Sequence, residues 1–278
     1  MKLKARIDAA EALLAPARRS PPRRLTSWSG AGGISSPYRI AAALIIAAAL
    51  AIGIRARRAA PEVRTVVTGR GERVVLHLGD SSTITVGPAT TLRYSLTRAT
   101  RNFELDGIAD FGIVHDSTRP VIVRTVHATA VDVGTRFVVR AYRGEGEVRV
   151  AVSSGAVDLS PLRASTGRVR LAAGEIGTVL AADSVATMRR GDVPSYTAWL
   201  DGRLSFDDQS LSVVAAELAR WFDVEIRIAS PELARRRITA VYNDPSLTNV
   251  LDALAITLGA RYERAGRTVT LMPRRQRA

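Results

Sequence analysis

Residues 135–159 read TRFVVRAYRGEGEVRVAVSSGAVDL, and this segment indicates the architecture of most of the chain. Apolar and polar residues alternate with a period of two in Thr135–Tyr142, Glu147–Val152 and Ala156–Leu159, as they do in half-buried strands. Glycine-containing turns separate the three runs. Short strands this close together, with no helical period, indicate an all-β domain of the sandwich, roll or solenoid type.

The same pattern extends in both directions, from residue 61 to residue 189. Turn signals such as Gly79-Asp80, Gly87-Pro88 and Asp106-Gly107 separate the runs, and Gly79-Asp80 predicts a hairpin. Arginines alternate with valine and leucine, so most of them are expected on solvent faces. The other predicted strands of this all-β domain are Arg73–Leu78, Ser82–Val86, Leu92–Ser95, Asn102–Leu105, Ala109–Val114, Val121–Val126, Arg168–Leu171 and Ile176–Leu180.

A different pattern follows a predicted linker at 190–198. Leu211–Phe222 and Ser246–Leu258 carry apolar residues at helical spacing. Candidate N-caps are Asp207, Asp208 and Ser210 for the first helix and Asp244, before Pro245, for the second. Predicted strands end at Phe206 and cover Val224–Ile228, Ile238–Tyr242, Arg261–Arg264 and Thr268–Leu271. The order β-α-β, β-α-β-β predicts a small α+β domain of two similar halves over 199–273, before a basic tail at 274–278.

An uninterrupted apolar run, IAAALIIAAALAIGI at Ile40–Ile54, precedes both domains. A helix of this length spans about 22 Å, less than the hydrocarbon core of about 30 Å. Tyr38, Arg39 and Arg55 can extend the span into the interface. A buried core helix would show a polar face, and a signal peptide would have a shorter segment before the run. We therefore expect a single transmembrane helix over 39–55.

The distribution of positive charge sets the expected orientation of that helix. The larger basic cluster lies before the apolar run, so residues 1–38 are predicted to form a short basic cytoplasmic tail. The bulk of the chain would then lie on the far side of the inner (cytoplasmic) membrane, which is the periplasm in a Gram-negative cell. The expected protein is a single-pass inner-membrane protein with a cytoplasmic N-terminus.

Composition excludes several classes of function. The formal charge of +14 suggests nucleic acid at first, but the tail, the helix flanks and alternating surface arginines account for it, so no nucleic-acid partner is predicted. Without cysteine there is no disulfide scaffold and no thiol nucleophile. His77, His115 and His127 lack metal-ligand spacing, and no catalytic or phosphate-binding motif is present. We predict no enzyme, no cofactor and no metal.

Several short blocks occur in a fixed order along the two predicted domains. Gly71-Glu72 and Leu78-Gly79-Asp80-Ser81-Ser82 come first, and Val133-Gly134-Thr135-Arg136-Phe137 is the most specific. The blocks and their spacing resemble the FecR family, over roughly Val63 to Leu271. One departure is that Gly79-Asp80 inverts the usual Asp-Gly. The matching positions are Gly71, Asp80, Ser82, Gly107, Phe111, Pro120, Gly134, Thr135, Phe137, Gly155, Gly174, Trp199 and Phe206.

The resemblance implies a function and two partners. FecR-like proteins are inner-membrane regulators, or anti-sigma factors, of extracytoplasmic-function sigma factors. The periplasmic part would sense the signalling domain of a TonB-dependent outer-membrane transporter, often one for an iron chelate. The last domain looks like the short domain shared by secretins and TonB-dependent transporters. Its strand edges would suit strand addition with a similar domain.

Two further readings accompany the resemblance. Some members of the family cleave themselves at a Gly-Thr pair, and Gly134-Thr135 matches that position; a plain glycine turn before a strand is the alternative. Family members also usually carry a longer helical cytoplasmic domain than the 38 residues that precede the apolar run here. The alternative function is therefore a membrane-anchored periplasmic binding or scaffold protein without a sigma partner.

Overall fold

The computed structural model describes residues 41–42, 45–50, 62–132, 134–162, 167–182 and 186–274. They divide into two compact units, one up to residue 60 and one from residue 61 onward. In the first unit, residues 41–42 and 45–50 are helical. Among the described residues, no helix has both the length and the apolar character needed to cross a membrane. The predicted tail at 1–38 and much of the predicted transmembrane helix at 39–55 lie outside the described residues.

The second unit begins with a β domain whose strands are joined into two connected sheets. The first sheet has the order β1-β4-β5-β6-β7-β10-β11 and the second has the order β2-β3-β5-β8-β9-β12-β13. The strands are β1 (Val63–Val67), β2 (Val74–His77), β3 (Thr83–Val86), β4 (Thr91–Leu96), β5 (Arg101–Gly112), β6 (Val121–Arg124), β7 (Ala128–Asp132), β8 (Arg136–Ala141), β9 (Glu147–Ser154), β10 (Ala156–Pro161), β11 (Val169–Ala172), β12 (Glu175–Leu180) and β13 (Thr187–Arg190).

Strand β5 belongs to both sheets. Residues 101–106 pair with β4, and residues 107–112 pair with β8. Gly107 lies at the change of sheet with a φ of 134°, and a Cβ there would lie 2.2 Å from Thr90 Oγ1. The strand can pass between the sheets because this position has no side chain. The result is a nearly closed sandwich, one of the architectures that the sequence left open.

The core of this β domain lies between the two sheets. Phe103, Phe111 and Phe137 are fully buried; the last two stack at 5.1 Å, and Phe103 meets Phe111 edge-to-face at 5.5 Å. Alternate residues of β7 and β10 are also buried, which is why the period of two was visible in the sequence. Burial of side chains of this size supplies most of the driving force for folding.

A small α+β domain completes the second unit. It contains α1 (Val193–Thr197), a 3₁₀ turn (Ala198–Asp201), β14 (Leu204–Ser210), α2 (Leu211–Trp221), β15 (Glu225–Ile228), α3 (Pro231–Arg235), β16 (Arg237–Tyr242), α4 (Leu247–Leu258), β17 (Ala260–Ala265) and β18 (Thr268–Pro273). The predicted order of helices and strands is confirmed, with α3 as an addition. The interval predicted as a linker contains α1 and the start of the 3₁₀ turn.

The sheets of this domain mix strands from the two predicted halves. Strand β14 pairs with β16, while β15, β18 and β17 form the other sheet. Ser210 caps α2 by accepting a hydrogen bond from the Val213 N–H, so one of the three candidate caps is confirmed. The cap predicted for α4 is wrong. Ser246, not Asp244, accepts from the Asn249 N–H, and Asp244 has a φ of 47°. Pro245 therefore precedes the cap, outside the helix.

The turn between β2 and β3 refines another expectation. The residue in the left-handed region is Ser81, with a φ of 66°, and not Gly79. The Asp80 carboxylate accepts from the Ser82 N–H at 3.1 Å, and the Ser81 N–H donates to the Leu78 carbonyl at 3.1 Å. Asp80-Ser81-Ser82 therefore occupies the place of an Asp-Gly-Ser turn, with serine where glycine is preferred. The hairpin predicted at Gly79-Asp80 is confirmed, with Ser81 rather than Gly79 as its left-handed residue.

Candidate functional site

The two domains of the second unit meet at a joint that begins at the C-terminus of α2. The last carbonyls of a helix have no partner inside the helix. Here the β1–β2 loop of the β domain supplies donors. The Gly71 N–H donates to the Arg220 carbonyl at 2.8 Å, and Arg70 Nη1 donates to the Val224 carbonyl at 2.9 Å. The β domain thus binds the Arg220 carbonyl at the end of α2 and the Val224 carbonyl just beyond it, and these two hydrogen bonds link the domains.

A second set of hydrogen bonds holds the 3₁₀ turn. Arg73 Nη1 donates to the carbonyls of Trp199 at 3.0 Å and Leu200 at 2.6 Å. Trp199 itself is 5% exposed and packs with Ile108, Val138 and Tyr142 on the outer face of the second sheet. Gly71 and Trp199, both singled out by the sequence, therefore act at the joint.

Four charged side chains form the centre of the joint. Arg140 contacts Glu145 at 2.8 Å within the β domain and Glu217 of α2 at 2.5 Å. Arg220 of α2 reaches back to Glu145 at 2.5 Å. All four side chains are less than a quarter exposed. Two arginines and two glutamates balance each other, so the cluster carries no net charge in a poorly solvated place.

Tyr142 lies beneath this cluster. The Arg220 guanidinium carbon lies 3.9 Å from the centre of the tyrosine ring, and the hydroxyl donates to the Pro88 carbonyl at 2.7 Å. Burial raises the pKa of Tyr142 to about 12, so its hydroxyl stays protonated and remains a donor. Burial opposes the charge of Glu145, but Arg140 and Arg220 outweigh it and lower the pKa of this carboxyl. Both groups keep the ionisation state that the joint needs at neutral pH.

A cleft runs beside the joint, between β14 and the outer face of the second sheet. Its inner part is narrow, about 70 Å³, and reaches Trp199, Val138 and Phe206. Its outer part is wider, about 430 Å³, and is bordered by polar side chains. Six residues line both parts: Glu147, Arg149, Tyr196, Asp207, Gln209 and Val213.

The Gly-Thr pair is placed at the start of β8, away from the joint. A Cβ at Gly134, whose φ is 153°, would lie 2.4 Å from His115 Cα, and a Cβ at Gly155 would lie 2.3 Å from Thr135 Cγ2. The Gly134 N–H donates to the Asp132 carboxylate at 3.0 Å. Thr135 is 6% exposed, and its hydroxyl is buried without a hydrogen-bond partner among the described residues.

Most other positions that matched the family pattern have a scaffold role. Asp80 pairs with the buried Arg101 at 2.9 Å, and the Ser82 hydroxyl accepts from the Val114 N–H at 3.0 Å. The Pro120 carbonyl accepts from the Arg101 N–H, and Gly174 forms the β11–β12 turn with a φ of 84°. The remaining positions, Gly107, Phe111, Phe137 and Phe206, hold the sheet change and the two cores.

The sequence reasoning missed the charged residues of the joint. Arg140, Glu145, Glu217 and Arg220 look like surface charges, since each stands in an alternating strand, a turn or a helix. Only the unusual placement of Arg140 between Val139 and Ala141 in an apolar strand could have marked one of them. In the part of the chain that the structure describes, no cluster of His, Asp and Glu is arranged to hold a metal ion.

This arrangement defines a class: a β sandwich joined by hydrogen bonds and ion pairs to a small α+β domain, with a polar cleft and no catalytic constellation among the described residues. A family model described as FecR protein matches residues 64–158, and one described as FecR, C-terminal matches residues 203–271. Together they cover more than half of the chain. The chain belongs to the FecR family, whose members are regulators rather than enzymes.

Solved structures agree with this assignment. Two crystal structures of a candidate anti-sigma factor from Parabacteroides distasonis resemble the chain with TM-scores of 0.70 and 0.71. Each is 27% identical in sequence, and the alignment covers 76% of this chain and 99% of the other. Curated proteins gave no significant match.

Proposed function

We propose that this chain is a single-pass inner-membrane regulator of an extracytoplasmic-function sigma factor, driven by a TonB-dependent transporter. The observation that carries the proposal is the presence of both FecR models in order, on a fold shared with a candidate anti-sigma factor. The apolar run Ile40–Ile54 would cross the membrane, and the basic residues 1–38 would face the cytoplasm. A sigma factor would bind there, on the opposite side from residues 62–274.

The α+β domain is the proposed contact for the signalling domain of the transporter. Its two-stranded sheet, β14-β16, lacks further strands among the described residues, so backbone donors and acceptors are available for an added strand. Edge strand β17 is less suitable because Arg261, Glu263 and Arg264 place charges along it. An iron chelate is the substrate class that we propose for such a transporter.

Binding of the tail separates this function from its alternative. A peptide of residues 1–38 is immobilised and presented with purified sigma factors of the same organism, with a peptide of the same composition and scrambled order as the control. Selective capture of one sigma factor by the native order supports the regulator. If none is captured while the full chain binds a transporter signalling domain, the protein is a membrane-anchored periplasmic binding or scaffold protein without a sigma partner.

Topology has its own test. A reporter that is active only outside the cytoplasm is fused after Arg58, and the same reporter is fused before Lys2 as the matched control. Activity of the first fusion alone supports the proposed orientation. Activity in the opposite pattern would place residues 62–274 in the cytoplasm and end the transporter proposal.

A second proposed activity is self-cleavage between Gly134 and Thr135. The observation that favours it is the buried Thr135 hydroxyl, which has no partner among the described residues and stands next to a glycine at a φ of 153°. The hydroxyl oxygen would attack the Gly134 carbonyl carbon, the peptide C–N bond would break, and the Thr135 nitrogen would take the proton. Water would then open the ester to give a Gly134 carboxylate and a free Thr135 amine.

Mass spectrometry of the purified chain tests this activity. Two fragments that meet at Gly134-Thr135 are expected from the wild type, and only intact chain from Thr135→Ala. Thr135→Ser keeps the hydroxyl and should retain cleavage. Intact wild-type protein throughout would show that Gly134 serves only as a turn.

A further inference from the structure

The exposed side chain of His115 lies against Gly134. A Cβ at Gly134 would lie 2.6 Å from His115 Nδ1, so the imidazole is in contact with the glycine Cα. Glycine is required at this position because any side chain would collide with the histidine. The bond for which self-cleavage is proposed therefore has a histidine beside it.

The segment that carries His115 is attached to the neighbouring backbone. The Ile113 N–H donates to the Thr135 carbonyl at 2.9 Å, which ties the segment to the residue that follows the bond. The Val114 N–H donates to the Ser82 hydroxyl at 3.0 Å. A side chain that takes part in a reaction needs such a fixed position relative to the reacting atoms.

The two sides of the Gly134-Thr135 bond differ in their access to water. Thr135 is 6% exposed, and a Cβ at Gly155 would lie 3.1 Å from the Gly134 carbonyl oxygen and 2.3 Å from Thr135 Cγ2. In contrast, Gly134 is partly exposed and His115 is exposed. Water thus adjoins the glycine on the side of the imidazole, while Gly155 packs against the carbonyl oxygen and the threonine.

The proposed self-cleavage has two steps, and only the second one consumes water. In the first step, the proton of the Thr135 hydroxyl ends on the Thr135 nitrogen, so the residue both supplies and receives it. In the second step, a water molecule must lose a proton while its oxygen attacks the Gly134 carbonyl carbon of the ester. Histidine is the most frequent general base in such steps, because a neutral imidazole has one nitrogen that accepts a proton.

The carboxylates near the bond are less suited to this second step. Asp116 already accepts hydrogen bonds from the N–H and hydroxyl of Thr118 and from Arg119 Nε. Asp132 is 2% exposed, and one of its oxygens accepts from the Gly134 N–H at 3.0 Å. Asp132 therefore holds the glycine from the buried side, and the exposed base beside the bond is the histidine.

We infer that His115 is the catalytic base that opens the ester. Its imidazole takes a proton from the attacking water, the bond between the Gly134 carbonyl carbon and Thr135 Oγ1 breaks, and the imidazolium gives the proton to Oγ1. The second proton of the water is released to solvent when the new Gly134 carboxyl group ionises. This inference rests on the proposed self-cleavage and adds the residue that completes it.

His115→Gln tests the inference, because glutamine keeps a polar side chain but does not act as a base. His77→Gln, at an exposed position of β2, is the matched control, and Thr135→Ala cannot form the ester. The full chain is synthesised in a cell-free system with detergent. Mass spectrometry then follows the fragments that meet at Gly134-Thr135 over time, with and without neutral hydroxylamine, which opens an ester without help from the protein.

The expected results assign the histidine to the second step. His115→Gln should cleave at least about 100-fold more slowly than the wild type in buffer, yet hydroxylamine should still release a fragment that ends at Gly134. His77→Gln should cleave like the wild type. Thr135→Ala should stay intact under both conditions.

The other outcomes separate the two claims. A wild type that stays intact with and without hydroxylamine ends the proposed self-cleavage, and this inference falls with it. A wild type that cleaves only with hydroxylamine would form the ester without opening it, which overturns the role of His115 alone. Equal rates for the wild type and His115→Gln would also overturn it. So would resistance of His115→Gln to hydroxylamine, because His115 would then act before the ester forms or only in folding.

Discussion

The core of the β domain and the joint between the domains are both poorly solvated, but the core consists of apolar side chains and the joint of charged ones. The core packs Phe103, Phe111 and Phe137 between two sheets, with no polar side chain in the aromatic contacts. The joint packs charges against charges around Tyr142. Apolar packing is strong and tolerant of small shifts, whereas charge-assisted hydrogen bonds hold only one geometry. The core provides stability, and the joint provides a fixed orientation between two domains.

Truncation of the core gives the largest expected effect. Phe111→Ala removes a fully buried ring that contacts two others, and should lower the free energy of unfolding by about 3–5 kcal/mol. Denaturant unfolding followed by circular dichroism measures it. Val75→Ala, at a half-exposed position on β2, is the control and should change stability by less than about 0.5 kcal/mol. If Phe111→Ala and Val75→Ala lowered the free energy of unfolding equally, burial in the core would not explain the effect at Phe111.

Removal of one charge from the joint comes second. Glu145→Gln leaves Arg140 and Arg220 without their shared carboxylate and should cost about 2–3 kcal/mol at pH 7. Because the pKa of Glu145 is lowered on folding, its contribution is present above the ordinary value of 4.5 and lost as the pH falls through the folded value. Thermal unfolding at pH 7 and at pH 3 should therefore show a difference between variant and wild type that shrinks in acid.

Glu147→Gln is the matched control for that change. Glu147 contacts Arg149 at 2.7 Å within strand β9 and forms no ion pair with α2. It should cost less than about 1 kcal/mol, as partly exposed pairs do. If Glu147→Gln lowered the free energy of unfolding as much as Glu145→Gln, the ion pairs of the joint would contribute no more than an ion pair within a single strand.

A third change concerns a buried carboxylate whose hydrogen bonds are incomplete. Asp110 is 4% exposed, one of its carboxylate oxygens has no partner among the described residues, and burial raises its pKa. The folded state thus favours the protonated carboxyl of Asp110. This preference stabilises the protein fully below pH 3.8, the ordinary pKa, and the stabilisation is lost as the pH rises through the higher pKa of the folded state. Asp110→Asn should raise the melting temperature at pH 7 by roughly 2–4 °C, with a smaller gain in acid. Asp106→Asn, at a half-exposed position that pairs with Arg143, should show no gain.

The smallest expected effect is at the β2–β3 turn. Ser81 is in the left-handed region, so Ser81→Gly should stabilise the protein by about 0.5–1 kcal/mol. Gly79→Ser is the control, because a Cβ at Gly79 meets nothing within 4 Å and its φ is not in that region. It should be close to neutral. If Gly79→Ser were the destabilising change instead, glycine would be required at position 79.

Sequence reasoning succeeded where the structure is periodic and failed where it is not. Most strands between Val74 and Leu180 and helices α2 and α4 follow from alternation and from apolar stripes, because each pattern lies within one element. The turn predicted at Asp106-Gly107 is wrong, because β5 (Arg101–Gly112) runs straight through it as it changes sheet, and strands β1 and β13 were not predicted. Asp244-Pro245 looked like a cap, but Ser246 took that role since Asp244 has a left-handed backbone. Local residue types cannot decide between two neighbouring candidates.

The contacts of the joint could not be predicted from the sequence, for a different reason. Arg140 and Glu217 come from a strand and a helix of different domains, and nothing in either neighbourhood marks the other as a partner. The same holds for Trp199, whose burial depends on the outer face of a sheet formed by β5 and β8. Trp199 and Gly71 were found through the family pattern, which named the positions without their role.

The hydrogen bond from Arg70 to the Val224 carbonyl joins residues 154 positions apart in the chain, so its two partners are synthesised at different times. At typical rates of translation, the β1–β2 loop leaves the ribosome roughly 10–30 s before its partner exists. During that interval the β domain can fold, but Arg70, Gly71 and Arg73 have nothing to bind. The joint can therefore form only after residue 224 has been synthesised, well after the last strand of the β domain, β13 (Thr187–Arg190).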